Sequence, residues 1–213
     1  MQAKLLLSFV IVLSGISKAA VIYPKAPDGG RQIVSKNVGQ MLRELPDGSV
    51  LSERGLKMAD VTIAEPFRPY YVGLANLVGG KLLSAAESRS WRYLLLHGNN
   101  AVGAADLYEK KNGKLVFTGL YETNLSDETL RALRMAEQLP QIKKQEYELR
   151  RLDIPPILFT AVWLHGKSDD IIIPLGLTFG RWNANQPYSE SQMIKLLMPA
   201  VKKKLKETTR MID

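Results

Sequence analysis

The chain contains no cysteine and only two histidines among its 213 residues. Without cysteine it forms no disulfide, offers no thiol nucleophile and builds no thiolate zinc site, so its fold must rest on a hydrophobic core alone. The rest of the composition supports such a core, since 46% of the residues are hydrophobic and 23% are charged. These proportions are typical of a folded domain and argue against wholesale disorder.

The sequence also lacks the short motifs that carry well-known chemistry. It has no Gly-x-Ser-x-Gly elbow, no His-Glu-x-x-His and no glycine fingerprint for a dinucleotide. The triplet Gly79-Gly80-Lys81 is not a phosphate-binding loop, because Ala75 stands where the first glycine is required and Leu82 where Ser or Thr is required. We therefore expect no cofactor.

No apolar run reaches the roughly 20 residues that a membrane-spanning helix needs. The run at residues 5–16 follows Lys4 and precedes Ser17-Lys18-Ala19, which has small residues at the two positions that a signal peptidase reads. We interpret residues 1–19 as a signal peptide cleaved after Ala19, with an uncleaved N-terminal anchor as the alternative. The protein is then periplasmic or secreted, and the absence of cysteine excludes a lipoprotein.

The net charge stays positive after this cleavage. Removing Lys4 and Lys18 takes two of the 29 basic residues and none of the 21 acidic ones, so the formal charge falls from +8 to +6.

Residues 20–32 are rich in proline and glycine and predict an extended arm or linker. Residues 33–213 are interpreted as one α+β domain, mostly helical up to residue 90 and built of a sheet with helices from residue 91. Apolar residues at spacings of three and four predict a helix over Ile33–Leu45. A looser pattern, weakened by three glycines, predicts another helix over Tyr71–Ser88.

The longest apolar stretch after the N-terminus, Pro155–Leu177, predicts a β-hairpin. Its strands are Ile157–His165 and Asp170–Leu175, joined by a polar four-residue loop. Both faces of the first strand are apolar, which predicts a position in the middle of a sheet.

A second hairpin is predicted around Asn112-Gly113, the strongest short turn signal. With these two residues as the turn, Tyr108 lies opposite Phe117 and Ala104 opposite Tyr121. The predicted strands of this part of the chain are Trp91–Leu96, Ala101–Glu109, Leu115–Glu122 and Gln145–Leu152.

Two further helices carry clear end signals. Ser126 is the N-cap candidate of one, which Pro140 ends, and Ser189 with Gln192 forms a capping box for the other. Pro199 must kink or split the latter helix, because it cannot donate to the carbonyl of Lys195. The pattern predicts an α+β fold with a mainly antiparallel sheet of about five to six strands and helices packed on it.

The candidate chemical groups lie at the loop of the first hairpin. A four-residue loop places His165 opposite Asp170, and a histidine beside a carboxylate is half of many acid–base and metal sites. Ser168 is a nearby candidate nucleophile and Asp169 a further carboxylate. The competing interpretation is a solvated loop with a strand-end histidine. A metal site would also require His97 beside this loop, which no spacing in the sequence indicates.

Two other groups are binding candidates. In the predicted register Asp106 shares a face with Tyr108, Phe117 and Tyr121, and a buried carboxylate there would have a raised pKa; a shift of one residue would expose it. The C-terminal basic segment suggests weak contact with an anionic membrane surface, or else a solvated helix face. Its lysines are Lys202, Lys203, Lys204 and Lys206. The segment contains no aromatic residue that would support nucleic-acid binding.

These observations predict an exported binding or accessory protein of the bacterial cell envelope, with a protein or small molecule as its partner and no nucleic acid. The alternative is an envelope hydrolase or metal-dependent enzyme that uses His165 with Asp169 or Asp170.

Overall fold

The computed structural model describes residues 21–44, 51, 55–88, 90–121, 124–176 and 182–210. The predicted signal peptide lies outside them. The described chain is an α+β fold with four α-helices and nine strands in two sheets, most of them antiparallel, so the predicted fold class is confirmed. The helices are α1 (Gly30–Glu44), α2 (Leu74–Val78), α3 (Asn124–Ala136) and α4 (Glu190–Arg210).

The strands follow in chain order, and several are much shorter than the rest. They are β1 (Val21–Ile22), β2 (Thr62–Ile63), β3 (Arg68–Tyr71), β4 (Ser90–His97), β5 (Asn100–Glu109), β6 (Leu115–Tyr121), β7 (Tyr147–Ile154), β8 (Phe159–Gly166) and β9 (Asp170–Pro174).

The first sheet is organised around β8, which lies between β7 and β9 and pairs with both in antiparallel fashion. The strands β1 and β3 both pair with β7 in parallel. Six of the eight residues of β8 are buried, as the apolar character of both its faces predicted. The predicted hairpin is confirmed down to its register, since His165 pairs with Asp170.

The second sheet has the order β2-β4-β5-β6 and is antiparallel throughout. It adjoins the first sheet through residues 62–71, which pair with β4 at one end and with β7 at the other. Backbone bridges between Phe67 and Arg92 and between Tyr71 and Glu87 complete this junction. The strands are therefore divided between two adjoining sheets rather than gathered in the single sheet of five to six strands that we expected.

Three hydrophobic clusters hold the layers together. Helix α1 covers one face of the second sheet, where Val34 and Val38 pack with Tyr93. Helix α4 covers one face of the first sheet, where Met193 and Leu197 pack with neighbours on β8. Helix α3 packs against the remaining faces of both sheets in a shared cluster that includes Ala132, Leu133, Leu94, Ala104, Leu149 and Val162. We call these two remaining faces the inner face.

The helix predicted over Tyr71–Ser88 is wrong for most of its length. Tyr71 ends β3, which is held by pairing with β7, and only Leu74–Val78 is α-helical. Gly79 caps that short helix, and Gly80 follows with a φ of 72°, a left-handed conformation that glycine adopts without strain. Tertiary pairing has here overridden a weak helical pattern.

Two other predictions need adjustment. The predicted arm, residues 20–32, contains a short strand, β1, that pairs with β7, and α1 already begins at Gly30. Of the two effects predicted for Pro199, a kink or a split, the split does not occur, because α4 is one helix with Pro199 inside it. No helix within the described residues is long and apolar enough to cross a membrane.

Candidate functional site

Four buried charged residues lie on the inner face, and we call them the charged row: Arg92, Asp106, Arg151 and Asp153. Arg92 on β4 pairs with Asp106 on β5 through two hydrogen bonds, Nε to Oδ1 at 2.7 Å and Nη2 to Oδ2 at 2.6 Å. Such a fork between guanidinium and carboxylate is the strongest hydrogen-bonded pair that side chains form. The pairing β4–β5 places these two residues directly opposite each other.

The other half of the charged row is on β7. Arg151 donates to Oδ1 of Asp153 from Nε at 3.1 Å and Nη2 at 3.0 Å, and Thr160 of β8 donates to the same oxygen at 2.8 Å. The second oxygen of Asp153, Oδ2, is buried and has no hydrogen-bond partner among the described residues. A buried carboxylate oxygen without a hydrogen-bond donor is costly in a protein interior. This oxygen belongs to the end of the charged row that lies beside Tyr71, the cross-strand partner of Asp153.

The two arginines differ in their electrostatic surroundings. Burial lowers the pKa of Arg92, but the hydrogen bonds and charge of Asp106 outweigh that effect and leave its pKa raised. Burial also lowers the pKa of Arg151, and the positive charge of Arg92 lowers it further against the attraction of Asp153. The two ion pairs therefore interact across the boundary between the sheets, and their formal charges cancel.

An open cavity of about 550 Å³ lies at the outer end of this row, and we call it the tyrosine cleft. Residues from three stretches of the chain line it: Tyr71, Gly73, Asn76, Ala85, Glu87, Ser90 and Tyr108. Two register pairs join it to the charged row, because Tyr71 lies beside Asp153 and Ser90 lies opposite Tyr108, two residues from the Arg92–Asp106 pair. The cleft volume is within the usual range for ligand sites.

The tyrosine rings of the cleft are accessible. Tyr71 is 42% exposed and Tyr108 is 36% exposed. Partial burial raises the pKa of Tyr71, and the charge of Asp153 raises it further, so its hydroxyl remains protonated at neutral pH. The hydroxyl is thus available as a hydrogen-bond donor.

The predicted aromatic group of the second hairpin is only partly assembled. Ala104 lies opposite Tyr121 and Asp106 opposite Gly119, as predicted, but Tyr108 lies opposite Val116. A bulge at Thr118 shifts the register, so Phe117 pairs with Leu107 and packs on the α1 side. Tyr121 stays on the inner face, 5.3 Å from the Arg92 guanidinium.

The candidate pair at the first hairpin is present. Nδ1 of His165 lies 2.7 Å from Oδ1 of Asp170, and the indole of Trp163 donates to the same oxygen at 2.7 Å. The Trp163 ring also packs edge-on against His165 and contacts the Arg150 guanidinium. Asp170 therefore fixes two side chains of the hairpin.

The other candidates do not join this pair. Asp169 accepts from Tyr147 at 2.8 Å and from Gln145, and Ser168 donates to Gln145 at 3.1 Å. Tyr147 belongs to the inner-face cluster, whereas Trp163 packs in the α4 cluster, so Asp169 and Asp170 contact residues of opposite faces. His97 ends β4 in the other sheet and is exposed. Across the described residues, no group of three or more His, Cys, Asp or Glu is arranged to hold a metal ion.

The basic segment lies in the last turns of α4. Lys202, Lys203 and Lys206 are exposed, and Lys204 lies 3.8 Å from Glu207. Val201 is buried in the α4 cluster, so the lysines project from a helix whose other side is anchored.

Sequence reasoning found Asp106, Tyr108 and Tyr121 but missed Tyr71, Arg92, Arg151, Asp153 and the cleft. One signal was present for β7. In the sequence of this strand, Tyr147 and Leu149 alternate with charged residues, which predicts that the two apolar residues lie on its buried face. Continuing the same alternation places Arg151 and Asp153 on that face too. Two residues of opposite charge at the buried positions of a strand indicate an ion pair in the interior of the protein.

Comparison of the chain with protein-family models, with curated proteins and with solved structures finds no match.

Proposed function

We propose that this protein is an exported binding or accessory protein of the bacterial cell envelope and that it holds its ligand in the tyrosine cleft. The observation that carries the proposal is the convergence there of two exposed tyrosine rings with polar side chains from separate elements. Aromatic surface with a few placed polar groups is the usual composition of a ligand site. The signal pattern of residues 1–19 supports export.

The buried ion pairs support this use of the cleft. Strands β3, β4, β5 and β7 meet behind it, and the buried charged row has members on β4, β5 and β7. A site mounted on such strands is ordered before the ligand arrives, which reduces the entropy cost of binding.

The geometry favours binding over the alternative enzyme. A hydrolase or metal-dependent enzyme would use His165 with Asp169 or Asp170. Asp169 bonds to Tyr147 on the opposite face and not to His165, and Asp170, which does bond to His165, also accepts from the Trp163 indole. The contacts of His165 and Asp170 with Trp163 support a role in holding the hairpin together.

Native mass spectrometry of the protein isolated gently from its host's envelope tests the proposal. We expect an added mass on the wild type and on His165→Ala, and its loss from Tyr108→Ala. Tyr23→Ala is the matched control, since Tyr23 is 42% exposed and lies outside the cleft. A bare wild-type chain contradicts the binding proposal, and an activity that disappears in His165→Ala at unchanged melting temperature supports the enzyme instead.

A further inference from the structure

The backbones of the two cleft tyrosines, Tyr71 and Tyr108, are held by pairing on both sides. Tyr71 exchanges two backbone hydrogen bonds with Glu87, of 2.9 and 3.1 Å, and Tyr108 lies between Ser90 and Val116 in the second sheet. A tyrosine on a paired backbone offers a large contact area and has only two side-chain torsions to restrict, so it loses little conformational entropy on binding.

The polar groups beside the rings have free hydrogen-bonding capacity. Within the described part of the chain, the side chains of Asn76, Glu87 and Ser90 make no hydrogen bond or ion pair, and neither does the hydroxyl of either tyrosine. Together they offer amide and hydroxyl donors with amide, hydroxyl and carboxylate acceptors. A ligand that both donates and accepts at several points matches this set.

The charge of the cleft limits the ligand further. Glu87 is the one formally charged residue among the described residues that line it, in a chain whose net charge is +8. The two buried arginines behind it are neutralised by Asp106 and Asp153, so neither of them offers a free cation to a phosphate or carboxylate. A single exposed carboxylate contributes little to binding an organic cation.

An entirely apolar ligand is also disfavoured, because it would leave the polar groups of the cleft without partners. A sugar ring meets both requirements. One of its faces carries C–H groups that stack on the electron-rich face of tyrosine, and each of its hydroxyls both donates and accepts.

From these observations we infer that the tyrosine cleft binds a sugar unit of an oligosaccharide, which stacks on the exposed tyrosine rings and bonds through its hydroxyls to Asn76, Glu87 and Ser90. The inference rests on the proposed function and specifies its ligand class.

The test titrates the mature protein with a panel of neutral oligosaccharides built from glucose, galactose, mannose and N-acetylglucosamine, with choline and inorganic phosphate as competing probes. NMR shift changes report binding. We expect at least one oligosaccharide to bind with a Kd of about 1 mM or tighter. Tyr108→Ala should weaken binding about tenfold, the value of one aromatic contact, whereas Tyr108→Phe, which keeps the ring, should weaken it by less than about threefold.

Glu87→Gln separates a sugar from a cation. It keeps a hydrogen-bonding side chain and removes the charge, so sugar affinity should change by less than about threefold. Tyr23→Ala again serves as the control, and thermal melting confirms that each variant is folded. Binding of choline that is lost in Glu87→Gln, or binding of phosphate, overturns the sugar inference.

The two proposals fail in different ways. If no oligosaccharide binds while the protein from the envelope carries another ligand in the cleft, the sugar inference is wrong and the proposed function stands. If no oligosaccharide binds and the envelope protein is bare, both are wrong.

Discussion

At the scale of single residues, the charged row is the least expected feature of this molecule. Arg92 and Asp106 are each less than a tenth exposed, so each has lost most of its hydration and depends on the other. Desolvation of two such charges costs several kcal/mol, and their fork of hydrogen bonds offsets this only while both are present.

Asp106→Ala should therefore lower the free energy of unfolding by about 3–5 kcal/mol, because it leaves the Arg92 charge buried without a partner. Combining it with Arg92→Met removes that stranded charge, so the double variant should be more stable than Asp106→Ala alone. Urea denaturation measures both. Glu65→Ala is the control, since its pair with Arg31 is exposed and worth about 0–1 kcal/mol. Equal losses for the single and double variants would contradict a coupled pair.

Tyr147 links stability to alkaline pH. Its ring is buried; burial raises the pKa of its hydroxyl, a hydrogen bond from Gln145 lowers it, and the acceptor Asp169 raises it again, with a net rise. The folded state therefore holds this proton more tightly than the unfolded chain, whose tyrosine pKa is about 10. Its contribution is complete below about pH 10 and is lost as the pH rises through the folded pKa.

Tyr147→Phe should thus reduce the pH dependence of stability above about pH 10. The measurement is the urea midpoint of wild type and variant at a series of pH values from neutral to alkaline. Tyr23, Tyr71 and Tyr93 also have raised pKa values and lower the urea midpoints of wild type and variant alike at alkaline pH. The difference between the midpoints of the two proteins therefore reports on Tyr147. Parallel curves above pH 10 would count against the assignment.

At the scale of elements, the register of the first hairpin was predictable and that of the second was not, although β8 begins at Phe159 and not at Ile157. In the first, the continuous apolar character of β8 and the polar loop leave one register, with His165 opposite Asp170. In the second, the loop has three residues instead of two: Lys110 pairs with Lys114, and Gly113 adopts a φ of 78°. Together with the bulge at Thr118, this moves Phe117 to the other face, a shift that no periodicity reveals.

Gly166 is the residue on which the first hairpin's geometry depends most directly. A Cβ there would lie 2.6 Å from the Asp169 carbonyl oxygen and 2.7 Å from a carbon of the Tyr147 ring. Gly166→Ala should therefore destabilise the protein by about 1–3 kcal/mol. Gly39→Ala is the matched control inside α1, where the added carbon meets Met58 at 3.5 Å and alanine should stabilise the helix by up to about 1 kcal/mol. Thermal melting compares the two, and equal shifts would show that the contact at Gly166 relaxes at no cost.

At the scale of the whole molecule, the tyrosine cleft exists because the two sheets adjoin. Its walls come from β3, α2, the start of β4 with the segment before it, and the end of β5, which are brought together by long-range pairing. Local patterns predicted most of the elements, but the order of strands and the parallel pairing of β3 with β7 depend on contacts between residues about 80 positions apart. The charged row and the cleft, which arise from that pairing, were therefore beyond sequence reasoning.

The distribution of charge over the molecule leads to the last prediction, contact with an anionic membrane surface. The exposed lysines of α4 extend from a helix that is anchored by Val201 and Leu197. Each lysine close to an anionic bilayer contributes about 1 kcal/mol. Replacing Lys202, Lys203 and Lys206 by Gln should then weaken binding to phosphatidylglycerol-containing vesicles by about a hundredfold at low salt.

A second triple variant makes this test specific, because Lys110, Lys111 and Lys114 are also exposed and lie together at the tip of the second hairpin. Changing them to Gln removes the same charge from another part of the surface. Vesicle sedimentation at rising salt measures both variants, and wild-type binding should weaken with ionic strength as screening shortens the reach of the lysines. Equal losses for the two triples would assign the effect to net charge alone, and binding that is indifferent to salt would contradict an electrostatic contact through α4.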